Sequence, residues 1–312
     1  MKTFKFLYIA ATALLFAACA NEDESIGNNG LVAATVQADI LNNTNTRATV
    51  NNTWTANEDA IGVSVTSTGY TVGNNVKYVA SDQIGNFKPA DEPIYFADTD
   101  EATFSAYYPY SSNATQNETL AWQGGVVKDG KCQWDFLFAN GATAKKSSPT
   151  VSFSGNNPFK HRMARVRFVI NAGKGVNGSE AALHGDFVLD GVVNDGFVNT
   201  RTGEVSVGAT ATKTKLTESL NQSLKDGVTV SFIVLPQDVQ NNSMNINLVA
   251  AANGTVNTYS TYLTAPEDYK FSGGNMYTYY ISVTNTEIKL ESSTITAWEE
   301  RELGGLDANM EP

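Results

Sequence analysis

Short segments in which apolar and polar residues alternate, separated by glycine and asparagine, run through most of this chain. At residues 164–170 every second residue (Ala164, Val166, Phe168 and Ile170) is apolar, which places these side chains on one face of an extended strand. Asn, Gly, Thr and Tyr are abundant, as is typical of strands and turns. We therefore expect an all-β protein of the sandwich or barrel class. Strands are predicted at residues 31–40, 60–66, 76–80, 93–97, 102–108, 134–139, 164–170, 185–189, 204–207, 228–235, 244–250, 258–263, 276–283 and 287–298. The same alternation predicts one inward face for the first of these strands (Val32, Ala34, Val36, Ala38 and Ile40) and one for the strand at 276–283 (Tyr277, Tyr279, Ile281 and Val283).

Two segments depart from this strand pattern. Leu216, Leu220 and Leu224 recur at every fourth position and predict one short helix. Residues 140–160 are rich in Gly, Ser, Thr, Lys, Asn and Pro, the composition of a linker, and predict the junction between two domains.

The amino terminus has the order of an export signal. Lys2 and Lys5 precede an apolar run at residues 6–18, which is too short to span a bilayer, and small residues lead into Cys19. This order predicts a lipoprotein signal peptide at residues 1–18, with a diacylglyceryl group carrying acyl chains such as palmitate on the Cys19 thiol. An ordinary signal peptide with an incidental cysteine is the alternative. The acidic cluster at 21–24 is either a surface-export tag or a solvated tether.

Charge and cysteine content indicate which partners and which stabilising bonds to expect. Loss of Lys2 and Lys5 with the signal lowers the basic count from 21 to 19, against 32 acidic residues, so the mature net charge is −13. Such a chain repels phosphate, and we expect no nucleic-acid partner. Lipidation of Cys19 leaves Cys132 without a disulfide partner, so stability must come from core burial.

Reactive residues do not form a recognisable catalytic motif. The two histidines, His161 and His184, fall on different predicted strands, and His161 is interpreted as a satisfied histidine at a strand end rather than a catalytic base. No spacing suits a zinc site, so we predict no enzyme activity, no cofactor and no metal site. The acids from Asp190 to Asp195 are read as solvated turn residues, with a weak Ca²⁺ site as the alternative.

Two tyrosine-rich segments allow two interpretations. Their rings could stack on sugars, or they could pack in the core and at the edges of a sandwich, which strand alternation favours. The tyrosines concerned are Tyr107, Tyr108, Tyr110, Tyr277, Tyr279 and Tyr280.

Several motifs follow one another almost from end to end of the chain. Their order resembles that of the fimbrillin family, the subunits of type V pili and their fimbrillin-like lipoprotein relatives. The motifs are the signal ending in Cys19, Thr46-Arg47-Ala48, Trp54 with Asp59-x-Ile61-Gly62-Val63, Phe104-x-Ala106-Tyr107-Tyr108-Pro109-Tyr110, Asp135-Phe136-Leu137, Phe159-x-His161-x-x-Ala164-x-Val166, Leu235-Pro236-Gln237, Gly274-x-x-Tyr277-x-Tyr279-x-Ile281-x-Val283 and Ile295-x-x-Trp298.

The resemblance implies two tandem transthyretin-like β-sandwich domains. We place them at residues 31–157 and 158–312, after the signal peptide at 1–18 and a lipidated tether at 19–30. The resemblance also implies that a trypsin-like, arginine-specific protease cuts the chain after the first strand. Arg47 is the only basic residue between the anchor and Trp54, so cleavage between Arg47 and Ala48 is expected. A strand from the next subunit, predicted at residues 286–298, would fill the opened groove.

The expected function is that of a structural subunit or accessory adhesin of a cell-surface fimbrium. Its expected partners are other fimbrial subunits, the protease, the outer membrane through the lipid anchor, and a receptor on a host or bacterial surface. The alternative is a monomeric glycan-binding lipoprotein on the cell surface. A hydrolase has only the two histidines in its favour.

Overall fold

The computed structural model describes residues 30–41, 54–128, 132–241 and 243–298. These residues form short β-strands, and their one helical segment is a 3-10 turn at Ser112–Thr115, so the all-β prediction is confirmed. In this part of the chain, no helix has the length and apolarity needed to cross a membrane. The first twelve strands are β1 (Val32–Ala33), β2 (Thr35–Ala38), β3 (Ala60–Val65), β4 (Val76–Ala80), β5 (Asn86–Pro89), β6 (Tyr95–Phe96), β7 (Ala102–Tyr108), β8 (Thr119–Trp122), β9 (Gly125–Val126), β10 (Leu137–Ala144), β11 (Thr150–Phe153) and β12 (Lys160–His161). The other twelve are β13 (Ala164–Ala172), β14 (Ala182–Val193), β15 (Gly196–Asn199), β16 (Val205–Val207), β17 (Lys213–Ser223), β18 (Val228–Val234), β19 (Gln237–Asp238), β20 (Asn245–Ala252), β21 (Thr255–Tyr262), β22 (Lys270–Phe271), β23 (Asn275–Val283) and β24 (Ile288–Ala297).

The first half of the chain forms an eight-stranded sheet in the order β11-β2-β5-β4-β3-β7-β10-β12. Its neighbouring strands are antiparallel except for β11 and β2, which run parallel. β1 pairs with β6 beside this sheet. The apolar faces enclose one core, which draws its residues from Ala34 to Phe159.

The second half contains a five-stranded sheet, β24-β23-β13-β18-β9, and a four-stranded sheet, β17-β14-β20-β21. Both contribute to a second core that runs from Ala164 to Ile288. The predicted inward faces are confirmed, since alternate residues of β13 and β23 are buried in this core. These residues are Ala164, Val166, Phe168, Ile170, Tyr277, Tyr279, Ile281 and Val283.

A third, smaller core joins the two halves. It combines residues of the first half, such as Tyr107 and Phe138, with residues of the second, such as Val198 and Leu235. β8 pairs with β15, and β9 pairs with β18, so residues 119–126 extend the sheets of the second half. The division into two domains at 157/158 stays a proposal. Two contacts cross it, since Phe159 packs in the first core and β12 pairs with β10 of the first sheet.

Two sequence predictions are corrected by the structure. Leu216 and Leu220 lie on strand β17, which pairs with β14 over eleven residues, and not on a helix. A repeat of four residues also keeps side chains on one face of a strand, and the neighbouring sheet core decides between the two structures. Residues 140–160, for which no strand was predicted, contain the end of β10 and all of β11.

Candidate functional site: the first strand and its slot

The first strand lies inside a sheet with one side buried. Ala34, Val36, Ala38 and Ile40 are buried, with 5% or less of each residue exposed, while Thr35, Gln37 and Asp39 between them are exposed. This alternation confirms the predicted inward face, although Val32 is only half-buried and pairs with Phe96 on β6. The strand therefore presents a row of small and branched apolar side chains to the first core.

Hydrogen bonds hold the first strand from both sides. On one side, the N–H groups of Thr35 and Asp39 donate to the carbonyls of Pro149 (3.1 Å) and Phe153 (2.9 Å). On the other side, the N–H of Ala38 donates to the carbonyl of Gly85 at 2.8 Å. Removing the strand would thus uncover two rows of backbone groups, on β11 and β5, that only another extended segment could pair.

Two aromatic side chains reach the carbonyls of this strand. The indole N–H of Trp54 donates to the carbonyl of Ala38 at 2.6 Å, and the Tyr78 hydroxyl donates to that of Ala34 at 3.3 Å. The N–H of Ile94 in turn donates to the Tyr78 hydroxyl at 3.1 Å. Burial raises the pKa of Tyr78, so its hydroxyl stays protonated and remains a donor. These two donors select a strand whose carbonyls fall at the same register.

Trp54 is the centre of an aromatic cluster beneath the strand. Its ring meets those of Phe87, Tyr108 and Phe159 edge-on, with centroids 5.1, 5.5 and 5.3 Å away. Edge-on packing of this kind stabilises aromatic pairs beyond simple burial. A cleft of about 310 Å³, lined by Trp54, Leu41 and Gly155 among others, lies where the strand ends.

The motifs of the sequence resemblance contact one another around this cluster. The Tyr108 hydroxyl donates to Asp59 Oδ1 at 2.9 Å, and burial, followed by the Asp59 charge, raises the pKa of Tyr108. The Tyr107 ring packs where a Cβ on Gly62 would fall, which explains the glycine of that motif. The motif residues Trp54, Asp59, Tyr108 and Phe159 therefore pack together beneath the first strand.

The last described strand, β24, lies at a sheet edge and pairs only with β23 among the described strands. Residues 291–297 are exposed, whereas Trp298, just after the strand, is buried. The Trp298 ring stacks on His161, with centroids 4.1 Å apart, and the backbone N–H of Trp298 donates to the carbonyl of Gly274 at 2.7 Å. β24 thus combines an exposed middle, paired on one side only, with an anchored end.

The two histidines do not form a catalytic pair. His161 is buried, and its Nδ1 lies 2.9 Å from Asp135 Oδ2, which confirms the interpretation as a satisfied strand-end histidine. His184 is exposed on β14. Desolvation raises the pKa of the Cys132 thiol to about 12, so this cysteine is a poor nucleophile. Among the described residues, no group of three or more His, Cys, Asp or Glu side chains could hold a metal ion.

The tyrosines of the two tyrosine-rich segments are mostly inside the protein. Tyr107, Tyr277 and Tyr279 are at most 2% exposed, and Tyr108, Tyr110 and Tyr280 are half-buried. Packing therefore explains these rings better than sugar stacking. The predicted lipidation site, Cys19, and the predicted cleavage site, Arg47 and Ala48, lie outside the described residues, so both stay predictions.

In the described part of the chain, whose regular structure is β apart from one 3-10 turn, the first strand fills a slot in a sheet and the last described strand, β24, lies at a sheet edge. This arrangement defines a class of β-sandwich protein. A model of the fimbrillin-like family matches residues 46–298 of the chain. The chain therefore belongs to the fimbrillin-like family, and the sequence resemblance is confirmed.

Solved structures share this fold at low sequence identity, which shows the fold alone. A proposed cell adhesion protein from Bacteroides uniformis is 23% identical with a TM-score of 0.66, and the alignment covers 86% of this chain and 98% of that one. Another from Bacteroides ovatus is 21% identical with a TM-score of 0.67, covering 87% and 99%. No curated protein matches the chain by sequence.

Proposed function

We propose that this protein is a structural subunit or accessory adhesin of a cell-surface fimbrium. In this proposal the first strand is removed by cleavage after Arg47, and a strand of the next subunit replaces it. Membership of the fimbrillin-like family supports the fimbrial role. The observation that carries the assembly step is the position of β2 inside the sheet, with a hydrogen-bonded neighbour on each side.

The energetics of the first strand support a two-step assembly. Burial of Val36 and Ile40 stabilises the uncut protein by roughly 1.5–3 kcal/mol each, with smaller contributions from Ala34 and Ala38. Cleavage alone therefore leaves the strand in place. Release requires an incoming strand with apolar residues at alternate positions and carbonyls in reach of Trp54 and Tyr78.

Strand β24 is the proposed donor. As an edge strand it leaves its sheet by breaking one ladder of hydrogen bonds, whereas β2 would break two. It carries Ile288, Leu290 and Ile295 as apolar side chains, and Ile295 is already 46% exposed. Ile288 and Leu290 are two residues apart and share one face of an extended strand, so they supply branched side chains of the kind that Val36 and Ile40 place in the slot.

Lipidation at Cys19 completes the proposal by holding the precursor on the outer membrane and at the cell surface. A single acyl chain binds a membrane only marginally, so the diacylglyceryl group is what makes the anchor stable. No catalytic role is proposed for any residue. The proposed partners are other subunits, an arginine-specific protease and a surface receptor.

Arginine-specific proteolysis of the chain spanning residues 20–312 tests this proposal. We expect SDS-resistant ladders from the treated wild type and none from Arg47→Lys, which keeps the charge but removes the arginine that the protease requires. A chain lacking residues 287–312 should accept a strand but not donate one, so adding it should shorten the ladders. Ladders from Arg47→Lys would contradict the mechanism. A cleaved chain that stays monomeric and binds a glycan array would favour the glycan-binding alternative.

A further inference from the structure

The hairpin formed by β20 and β21 is electrically neutral in an acidic protein. Residues 239–266 contain no Asp, Glu, Lys or Arg, although charged residues make up 17% of the whole chain. Along β21 the sequence reads Thr-Val-Asn-Thr-Tyr-Ser-Thr-Tyr, with β-branched or aromatic residues at most positions and neither Gly nor Pro. This composition has a high β-propensity.

β21 is also the edge of its sheet, and it lacks the features that usually protect an edge. Among the described strands, two other edge strands are at least as long, β17 and β24. β17 carries Lys213, Lys215 and Glu218, β24 carries Lys289 and Glu291, and each shows a shift in register against its neighbour. β21 has no charge, and its eight residues pair with β20 without any shift. Natural sheets use charges and bulges to block edge-to-edge pairing, so an edge without either is open to it.

The backbone geometry of β21 shows which groups face outward. The N–H of Leu263 donates to the carbonyl of Met244 at 2.9 Å, which places this pair among the hydrogen-bonded pairs of the β20–β21 ladder. In an antiparallel ladder such pairs alternate with pairs that make no bonds to each other. The backbone groups of the even-numbered residues therefore point away from β20, toward the open edge. These residues are Val256, Thr258, Ser260 and Tyr262.

We propose that this edge binds a second copy of the same chain, by antiparallel pairing of β21 with β21 about a two-fold axis. With Tyr259 opposite Tyr259, the outward-facing Thr258 meets Ser260, and Val256 meets Tyr262. Both Val256 and Tyr262 are 61% exposed in the single chain, and a branched residue opposite an aromatic one is a favourable cross-strand pair. The pairing makes roughly eight backbone hydrogen bonds and joins two four-stranded sheets into one.

The neutrality of the hairpin is the reason for choosing a second copy. Two chains of net negative charge repel each other, but the absence of charged side chains in this hairpin lets the two backbones approach without placing like charges opposite each other. A contact limited to one strand from each chain is small, so the dimer is expected to be weak and to form at high protein concentration. It is a lateral contact, separate from strand exchange at the first strand.

Sedimentation equilibrium of residues 20–312 tests this pairing. Arg47→Ala is used as the background, because the uncut chain cannot polymerise by the proposed exchange. We expect a monomer–dimer equilibrium that Thr258→Lys with Ser260→Lys weakens at least tenfold, since lysines then lie directly opposite each other. The matched control, Thr214→Lys with Thr217→Lys, adds the same charge at exposed positions on β17 and should leave the equilibrium unchanged.

A second variant tests the backbone contact itself. Ser260→Pro removes an outward-facing N–H and leaves the β20 ladder intact, as an edge position allows. It should abolish the dimer while circular dichroism and the melting temperature show a folded chain. An Arg47→Ala chain with β21 unchanged that stays monomeric at millimolar concentration would overturn the proposal. So would a dimer that survives both the lysine pair and Ser260→Pro.

Discussion

Replacement of Trp54 by phenylalanine probes how firmly the first strand is held. The indole N–H donates to the carbonyl of Ala38, and both residues are buried. Phenylalanine keeps an aromatic ring beside Phe87 and Phe159 but has no donor. The substitution therefore separates the hydrogen bond to the strand from most of the packing beneath it.

The expected loss of stability comes from two effects. A buried carbonyl left without its donor costs about 1–3 kcal/mol. The smaller ring also removes about 40 Å² of buried apolar surface, worth about 1 kcal/mol. The free energy of unfolding should fall by about 2–4 kcal/mol. The bond loss acts on the first strand itself, so this strand should open more often than the rest of its sheet.

Trp122→Phe is the matched control for this experiment. The Trp122 indole donates to the carbonyl of Trp134 at 2.7 Å, so the control loses the same kind of bond away from the first strand. Urea unfolding followed by circular dichroism measures the overall loss. Hydrogen exchange at residues 34–40 measures local opening, which should accelerate about tenfold or more in Trp54→Phe relative to Trp122→Phe. Equal exchange at these residues in the two variants would refute the idea that Trp54 holds the strand locally.

Three further predictions concern packing, titration and anchoring. Gly62→Ala places a Cβ against Asn75 and the Tyr107 ring, so it should cost about 2 kcal/mol in urea unfolding, whereas Gly69→Ala, in open space, should cost less than about 0.5 kcal/mol. Burial raises the pKa of Tyr107 from 10.0 to about 12, so between these pH values the folded state keeps a proton that the unfolded state loses. The contribution of Tyr107 to stability is therefore complete below pH 10 and should decline as the pH rises toward 12. Tyr107→Phe should flatten that decline in pH-dependent unfolding, and an unchanged slope would contradict the assignment. Cys19→Ala should abolish labelling by a palmitate analogue and release the protein from membranes, and normal retention would argue against lipidation.

The strands that were predicted most accurately are those whose pattern is local. β4 (Val76–Ala80) and β7 (Ala102–Tyr108) have the predicted bounds, because the apolar alternation and the turn residues that define them occur within a few consecutive positions. The inward faces of β13 and β23 follow from the same alternation. The order of the motifs was enough to predict the family, because it can be read from the sequence without knowing the fold.

The errors occur where local patterns are ambiguous. Leu216, Leu220 and Leu224 are spaced by four, which suits one face of a helix and also one face of a strand. The pairing of β17 with β14 selected the strand. β11 (Thr150–Phe153) was missed because its residues resemble a linker, and it becomes a strand through its parallel partner β2, more than a hundred residues earlier in the chain.

The sequence alone was sufficient to predict the all-β class, the inward face of the first strand and the motif residues around it, since each depends on residue type and short spacing. Only the tertiary structure decided that this strand lies inside a sheet, between β11 and β5, with Trp54 and Tyr78 bonded to its carbonyls. Strand order and register come from contacts between distant segments, and many pairings satisfy the same alternation. The packing of the whole core selects one of them, which is why the neighbours of the first strand and the bonds to its carbonyls could not be predicted from the sequence.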